Sequence, residues 1–133
     1  MSTDRLPVYL VYLAEMRRAA CNACRFVEGM SKTEFFEDER TQQAVAMSLI
    51  IIGEDANKIL EKHAGFDIDH PQLPWSKMRG MRNRIVHAYF SIDWQFVWDT
   101  VHKDLPPLVE TIDACVNAGT VANGDDDDHS PGY

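Results

Sequence analysis

Residues 80–90, GMRNRIVHAYF, gather side chains that could act on a phosphodiester. Arg82 offers a planar guanidinium fork, which can hold a phosphate and stabilise charge that grows in a transition state. His87 belongs to the one residue type whose ordinary pKa, about 6.5, allows proton exchange near neutral pH. RNA brings its own nucleophile, the 2′-hydroxyl. A histidine that deprotonates it and an arginine that clamps the phosphate suffice for cleavage to a cyclic phosphate, with no metal and no cofactor. Asn83 and His87 stand at i,i+4 and share a helical face. Arg82 and His87 are five apart, which leaves them about 140° apart around a straight helix. They converge on one target if the helix unwinds near His87, or if two copies of the segment meet across a two-fold axis. By composition alone, the same residues describe a solvated helix face.

Helices must position this segment. Leu6, Leu10, Leu13, Ala20, Cys24 and Val27 recur at helical spacing, so a helix is expected from Arg5 to about Val27. Arg17 interrupts the stripe, with a stem that can lie along the core edge. Ser31 and Glu34 are spaced as a capping box, which opens a short helix through Phe35 and Phe36. A long helix follows from about Glu39 to Lys62, with Val45, Leu49, Ile52, Ala56, Ile59 and Leu60 as its stripe. Gly53 in its middle suggests close approach by another helix or a ligand. Residues 63–74 are expected to be a loop, and Pro74 to open a helix buried through Trp75, Met78, Met81 and Ile85. That helix should end between Ala88 and Ser91, with Asp93 capping the next one. Phe96, Val97, Val101, Leu105, Leu108 and Ile112 continue the pattern. Pro106 and Pro107 should kink or divide this last stretch, with Asp104 capping the final helix. The expected fold is all-α, an antiparallel bundle of four to five helices. Residues 1–117 form its one domain, and residues 118–133, with the run Asp125, Asp126, Asp127 and Asp128, form a flexible acidic tail.

Composition narrows the functional classes. Hydrophobic residues make up 45% of the 133 and charged residues 26%, the balance of a soluble globular domain. The formal charge is −8, of which the four tail aspartates supply half. The body is therefore mildly acidic and has no broad basic stripe for nucleic acid. No apolar run nears the ~20 residues of a membrane span, and the first residues lack the features expected of a signal peptide. Three cysteines do not make a disulfide scaffold, and a reducing cytoplasm is the expected home. Cys21 and Cys24 form a CxxC without a second ligand pair, which reads as packing. His63, His70 and His102 have no partner at a motif spacing. Glu54 and Lys58 form an i,i+4 charge pair, read first as a solvated face. Beside Gly53, however, Glu54 is also a secondary candidate for the site on the neighbouring helix.

The chain resembles the HepT-like toxins of the HEPN (higher eukaryotes and prokaryotes nucleotide-binding) superfamily. The likeness runs from about Arg5 to Ile112, through EGMSKTEFFEDERTQQAV, IIGEDANKI, LPWSKMRGMRNRIVHAYFSID and VWDTVHKDLPPLVETI. Arg82, Asn83, His87 and Tyr89 match the family's RX4HXY motif. The resemblance implies an all-α homodimer whose two motifs meet at the dimer cleft. It implies a metal-independent endoribonuclease, the toxin of a toxin–antitoxin pair. Its partner would be a minimal nucleotidyltransferase antitoxin, in a larger hetero-oligomer, which transfers AMP from ATP to Tyr89. Arg82 carries over as the phosphate-stabilising residue, His87 as the acid–base residue and Asn83 as the orienting polar residue. Arg84 lies outside the motif and adds local positive charge. The alternative is a helical binding partner of a nucleotidyltransferase with no catalysis of its own.

Overall fold

The computed structural model describes residues 6–122. Among them all regular structure is helical: α1 (Val8–Phe26), α2 (Lys32–Phe36), α3 (Glu39–Lys62), α4 (Phe66–Asp69), α5 (Trp75–His87), α6 (Trp94–Asp99), a π-helical turn (Thr100–Asp104) and α7 (Leu105–Ala122). The tail is expected to begin at residue 118, but α7 continues to Ala122; the acidic run itself lies outside the described residues.

Helix α3 is the centre, packed between α1 and α5, while α7 lies along α1. Cross-helix pairs fix the direction of each neighbour. Glu54 and Asn57 of α3 bond to Arg82 and Arg79 of α5, in reversed order. Arg17 and Cys24 of α1 reach Asp113 and Val101 in the same reversed sense. Tyr9, at the start of α1, packs its ring 5.5 Å from His63, just past the end of α3. The long helices are thus antiparallel, as the stripes imply.

The core of α3 and α5 follows the expected stripes. Val45, Leu49, Ile52, Ala56 and Ile59 are buried, as are Trp75, Met78, Met81 and Ile85. Helix α1 differs in part. Leu13, Ala20 and Val27 are buried as expected, but Leu6 is exposed, and Met16, Ala19 and Ala23 join the buried face. Its alanines let α3 and α7 approach closely. Ser31 and Glu34 form the capping box, and Asp93 caps α6 by accepting from the Phe96 N–H at 3.1 Å.

Two stretches depart from expectation. The loop at residues 63–74 contains a helical turn, α4, entered through Gly65 at φ +88°. Phe66 is buried there, 4.9 Å from the ring of Tyr9 and 5.7 Å from that of Trp75. Long-range ring packing stabilises this turn, and local spacing does not reveal it. The second departure is at the prolines. The backbone of Asp99 and Leu105, which flank the π turn, is helical on both sides, and Asp104 caps nothing. It pairs instead with Lys77 at 3.3 Å. The π turn widens the helix just before Pro106 and Pro107, with Leu105 N–H bonding back to the Thr100 carbonyl. A wider turn makes room for proline rings that would clash with the carbonyls four residues back.

Candidate active site

Helix α5 presents the RX4HXY residues along its last two turns and just beyond. Its closeness to α3 depends on Gly53. A Cβ at that position would overlap the Arg82 Cβ and lie 2.8 Å from the Met78 carbonyl oxygen. The missing side chain brings the α3 backbone against the root of Arg82, which places the next residue, Glu54, beside the guanidinium. Arg82 Nε donates to Glu54 Oε2 at 2.7 Å, and Nη2 lies 2.6 Å from the same oxygen. Nη1 donates to Asn83 Oδ1 at 2.8 Å. Of the guanidinium's five N–H groups these contacts engage three, which leaves two for a ligand. Asn83 thus meets the arginine beside it, and Glu54 pairs with Arg82 rather than with Lys58.

His87 is the last residue of α5 and is exposed. Ala88 leaves the helix at φ −128°, and Ser91 N–H bonds back to the Ala88 carbonyl at 2.8 Å. No hydrogen bond or ion pair joins Arg82 to His87 within the described chain. The structure therefore keeps the separation that the helical spacing implies. Tyr89 stands in the turn after the helix, 67% exposed, with its ring centroid 4.3 Å from that of Phe90. Arg84 does not join Arg82. It points to the far side of α5, where Nη2 lies 3.3 Å from Asp93 Oδ2 and the guanidinium sits 3.9 Å above the Phe96 ring.

Between α3 and the turn that carries Tyr89 lies a pocket of about 420 Å³. Its lining includes Ile50 and Ile85, which stand about one helical turn along from Glu54 and Arg82 on their helices.

One buried acid near the site has no local sequence signal. Asp55, next to Glu54, is 4% exposed, and its Oδ2 has no hydrogen-bond partner among the described atoms. Burial pushes its pKa up to about 8, reinforced by the carboxylates of Glu15 on α1 and of Glu54. The period of α3 places residue 55 on the buried face, yet only the fold brings Glu15 to it. Cys21 and Cys24 are half-buried free thiols, and no cluster of metal-ligating side chains occurs among the described residues. His70 stacks on Phe66 and His102 on Trp98, both as packing groups. No helix among the described residues is long and apolar enough to cross a membrane.

The family model described as "Ribonuclease HepT-like" matches residues 16–115, which includes Glu54 and all four motif positions. The chain belongs to the HepT-like family. A Thermococcus cleftensis protein named "Probable ribonuclease HepT" is 36% identical over 97 residues, covering 73% of this chain and 86% of that protein. A Methanocaldococcus jannaschii protein provisionally named an RNase is 34% identical over 91 residues, 68% of this chain and 73% of that one. A third relative, from Caldanaerobacter subterraneus subsp. tengcongensis and also provisionally named an RNase, is 36% identical over 86 residues, 65% of this chain and 74% of that protein. No solved structure matches this HepT-like chain.

Proposed function

We propose that this HepT-like protein is a metal-independent endoribonuclease, with Arg82 and His87 as its catalytic residues. The carrying observation is an arginine fork, fixed by Glu54 and Asn83 with N–H groups to spare, on the same helix as an exposed histidine at its end. His87 takes the proton of the 2′-hydroxyl. The 2′-oxygen then attacks phosphorus, and the bond to the 5′-oxygen breaks. The 5′-oxygen leaves with a proton from water, and His87 releases its own to solvent, so the products are a 2′,3′-cyclic phosphate and a 5′-hydroxyl. Arg82 stabilises the extra negative charge on the phosphoryl oxygens. The angular separation of the two residues supports a homodimer in which each phosphate sees Arg82 of one protomer and His87 of its partner. RNA is the substrate and no cofactor takes part.

The family resemblance extends this to a toxin, with a minimal nucleotidyltransferase as antitoxin. The exposure of Tyr89 supports its role as the AMP acceptor, since its hydroxyl is open to a second protein. An AMP there adds bulk and negative charge beside the site, and both oppose an RNA backbone. A second reading, a non-catalytic helical partner of the nucleotidyltransferase, draws support from Glu54, whose carboxylate offsets the charge of Arg82.

Purified protein with chelator should cleave RNA, and His87→Ala should not. Equal cleavage by both proteins would defeat the nuclease reading. ATP and the nucleotidyltransferase should add mass in steps of AMP to the wild type but none to Tyr89→Phe.

A further inference from the structure

We infer that the pocket between α3 and the Tyr89 turn is a nucleobase site, which takes the base next to the phosphate held by Arg82 and His87. The inference rests on RNA being the substrate, and it adds a determinant of where the RNA is cut. The pocket's volume, about 420 Å³, lies in the usual range of small-ligand sites. At its lip Tyr89 and Phe90 form a tilted ring pair 4.3 Å apart, and Phe90 is 88% exposed. Open aromatic faces beside a phosphate clamp are how single-stranded nucleic acid is commonly held.

The walls supply what a base needs besides stacking. Met47 and Ile50 give an apolar side. Gln42 gives its amide nitrogen to the Phe35 carbonyl at 3.0 Å, which leaves its carbonyl oxygen as an acceptor. Gln43 is exposed, with both donor and acceptor available to a base edge. These amide groups favour a base over a second protein surface, whose buried centre would be mainly apolar. Position favours it as well. The lining begins at Ile85, one helical turn (about 5 Å of rise) beyond Arg82, so a strand clamped at its phosphate can bring an adjoining base to the pocket.

The test uses the full chain carrying His87→Ala, which should bind RNA without cutting it. Tetranucleotides with 2-aminopurine at each position in turn, and a dye at one end, separate stacking (base fluorescence) from binding (dye anisotropy). We expect quenching at one position. Adding Phe90→Ala or Gln43→Ala should abolish the quenching and weaken binding about ten-fold. An RNA abasic at that position should bind all three proteins alike. No quenched position, or quenching that survives Phe90→Ala, overturns the inference. So does a change from dimer to monomer in Phe90→Ala with quenching intact, which assigns the face to a second copy. Wild-type cleavage is read in parallel. Quenching without cleavage leaves the base site standing and removes the nuclease reading, and cleavage without quenching does the reverse.

Discussion

Arg82 and Glu54 meet where Gly53 brings α3 against α5, with Nη2 2.6 Å from Oε2 and the α3 backbone against the root of the arginine. The pair is partly shielded, with the Arg82 side chain 26% and the Glu54 side chain 40% exposed. Its effect is orientation: the carboxylate fixes one edge of the guanidinium and so determines which N–H groups face outward. Glu54→Ala should therefore lower kcat/KM for RNA by at least about ten-fold, since small misplacements of a clamp are costly. Its Tm should change little. Full activity in Glu54→Ala would show that Arg82 finds its position without the carboxylate.

Gly53→Ala tests the approach itself. The added methyl group cannot fit without moving Arg82 or the Met78 carbonyl. Overpacking of this kind costs about 1–3 kcal/mol. Thermal unfolding followed by circular dichroism should show a Tm lowered by several degrees, together with loss of cleavage. An unchanged Tm would mean that α3 and α5 are not pressed together.

Asp55 gives a pH dependence whose sign can be worked out. Its folded pKa, about 8, stands above the ordinary 3.8 because burial and the nearby Glu15 and Glu54 disfavour the charge. The native state therefore holds a proton that the unfolded chain releases above about pH 4. This contribution is fully present below that pH and is lost as pH rises towards about 8, by at most ~1.4 kcal/mol per unit. Urea midpoints should fall between pH 5 and pH 9 in the wild type. Asp55→Asn should flatten the fall, and an identical slope in both proteins would assign it to other groups.

Arg84→Ala separates the two arginines. Arg84 holds Asp93 and the Phe96 ring on the far side of α5. Its loss should cost no more than about 1–2 kcal/mol, the sum of an exposed ion pair and an exposed cation–π contact. Cleavage should fall far less than in Arg82→Ala. Loss of activity equal to that of Arg82→Ala would place Arg84 at the substrate.

Much of this arrangement was legible in the sequence because it is local. The capping box of Ser31 and Glu34, the Asp93 cap and the stripes of α3 and α5 all depend on residues within a turn or two of one another. Gly53 announced a close approach without naming what approached. What spacing could not show was long-range. Lys58 was the nearest partner for Glu54 along the helix, but α5 brought Arg82 to it. Glu15 reaches Asp55 from another helix, and Phe66 orders its loop through Tyr9 and Trp75. At Pro106 the local rule pointed to a kink or a division, and the helix continues past both rings by widening one turn.

That widened turn also acts as a phase shifter. An extra residue in one turn rotates everything after it around the axis, so α6 and α7 present different faces although the helix is continuous. Helix α6 turns Val97 and its neighbours towards α2 and α3, and α7 turns Leu108 and Ile112 towards α1. One helix thereby braces two sides of the bundle. Trp94, at the start of α6, lines the pocket beside α3. Removing a single residue from this turn would throw α7 out of register with α1 while leaving every motif residue in the sequence intact.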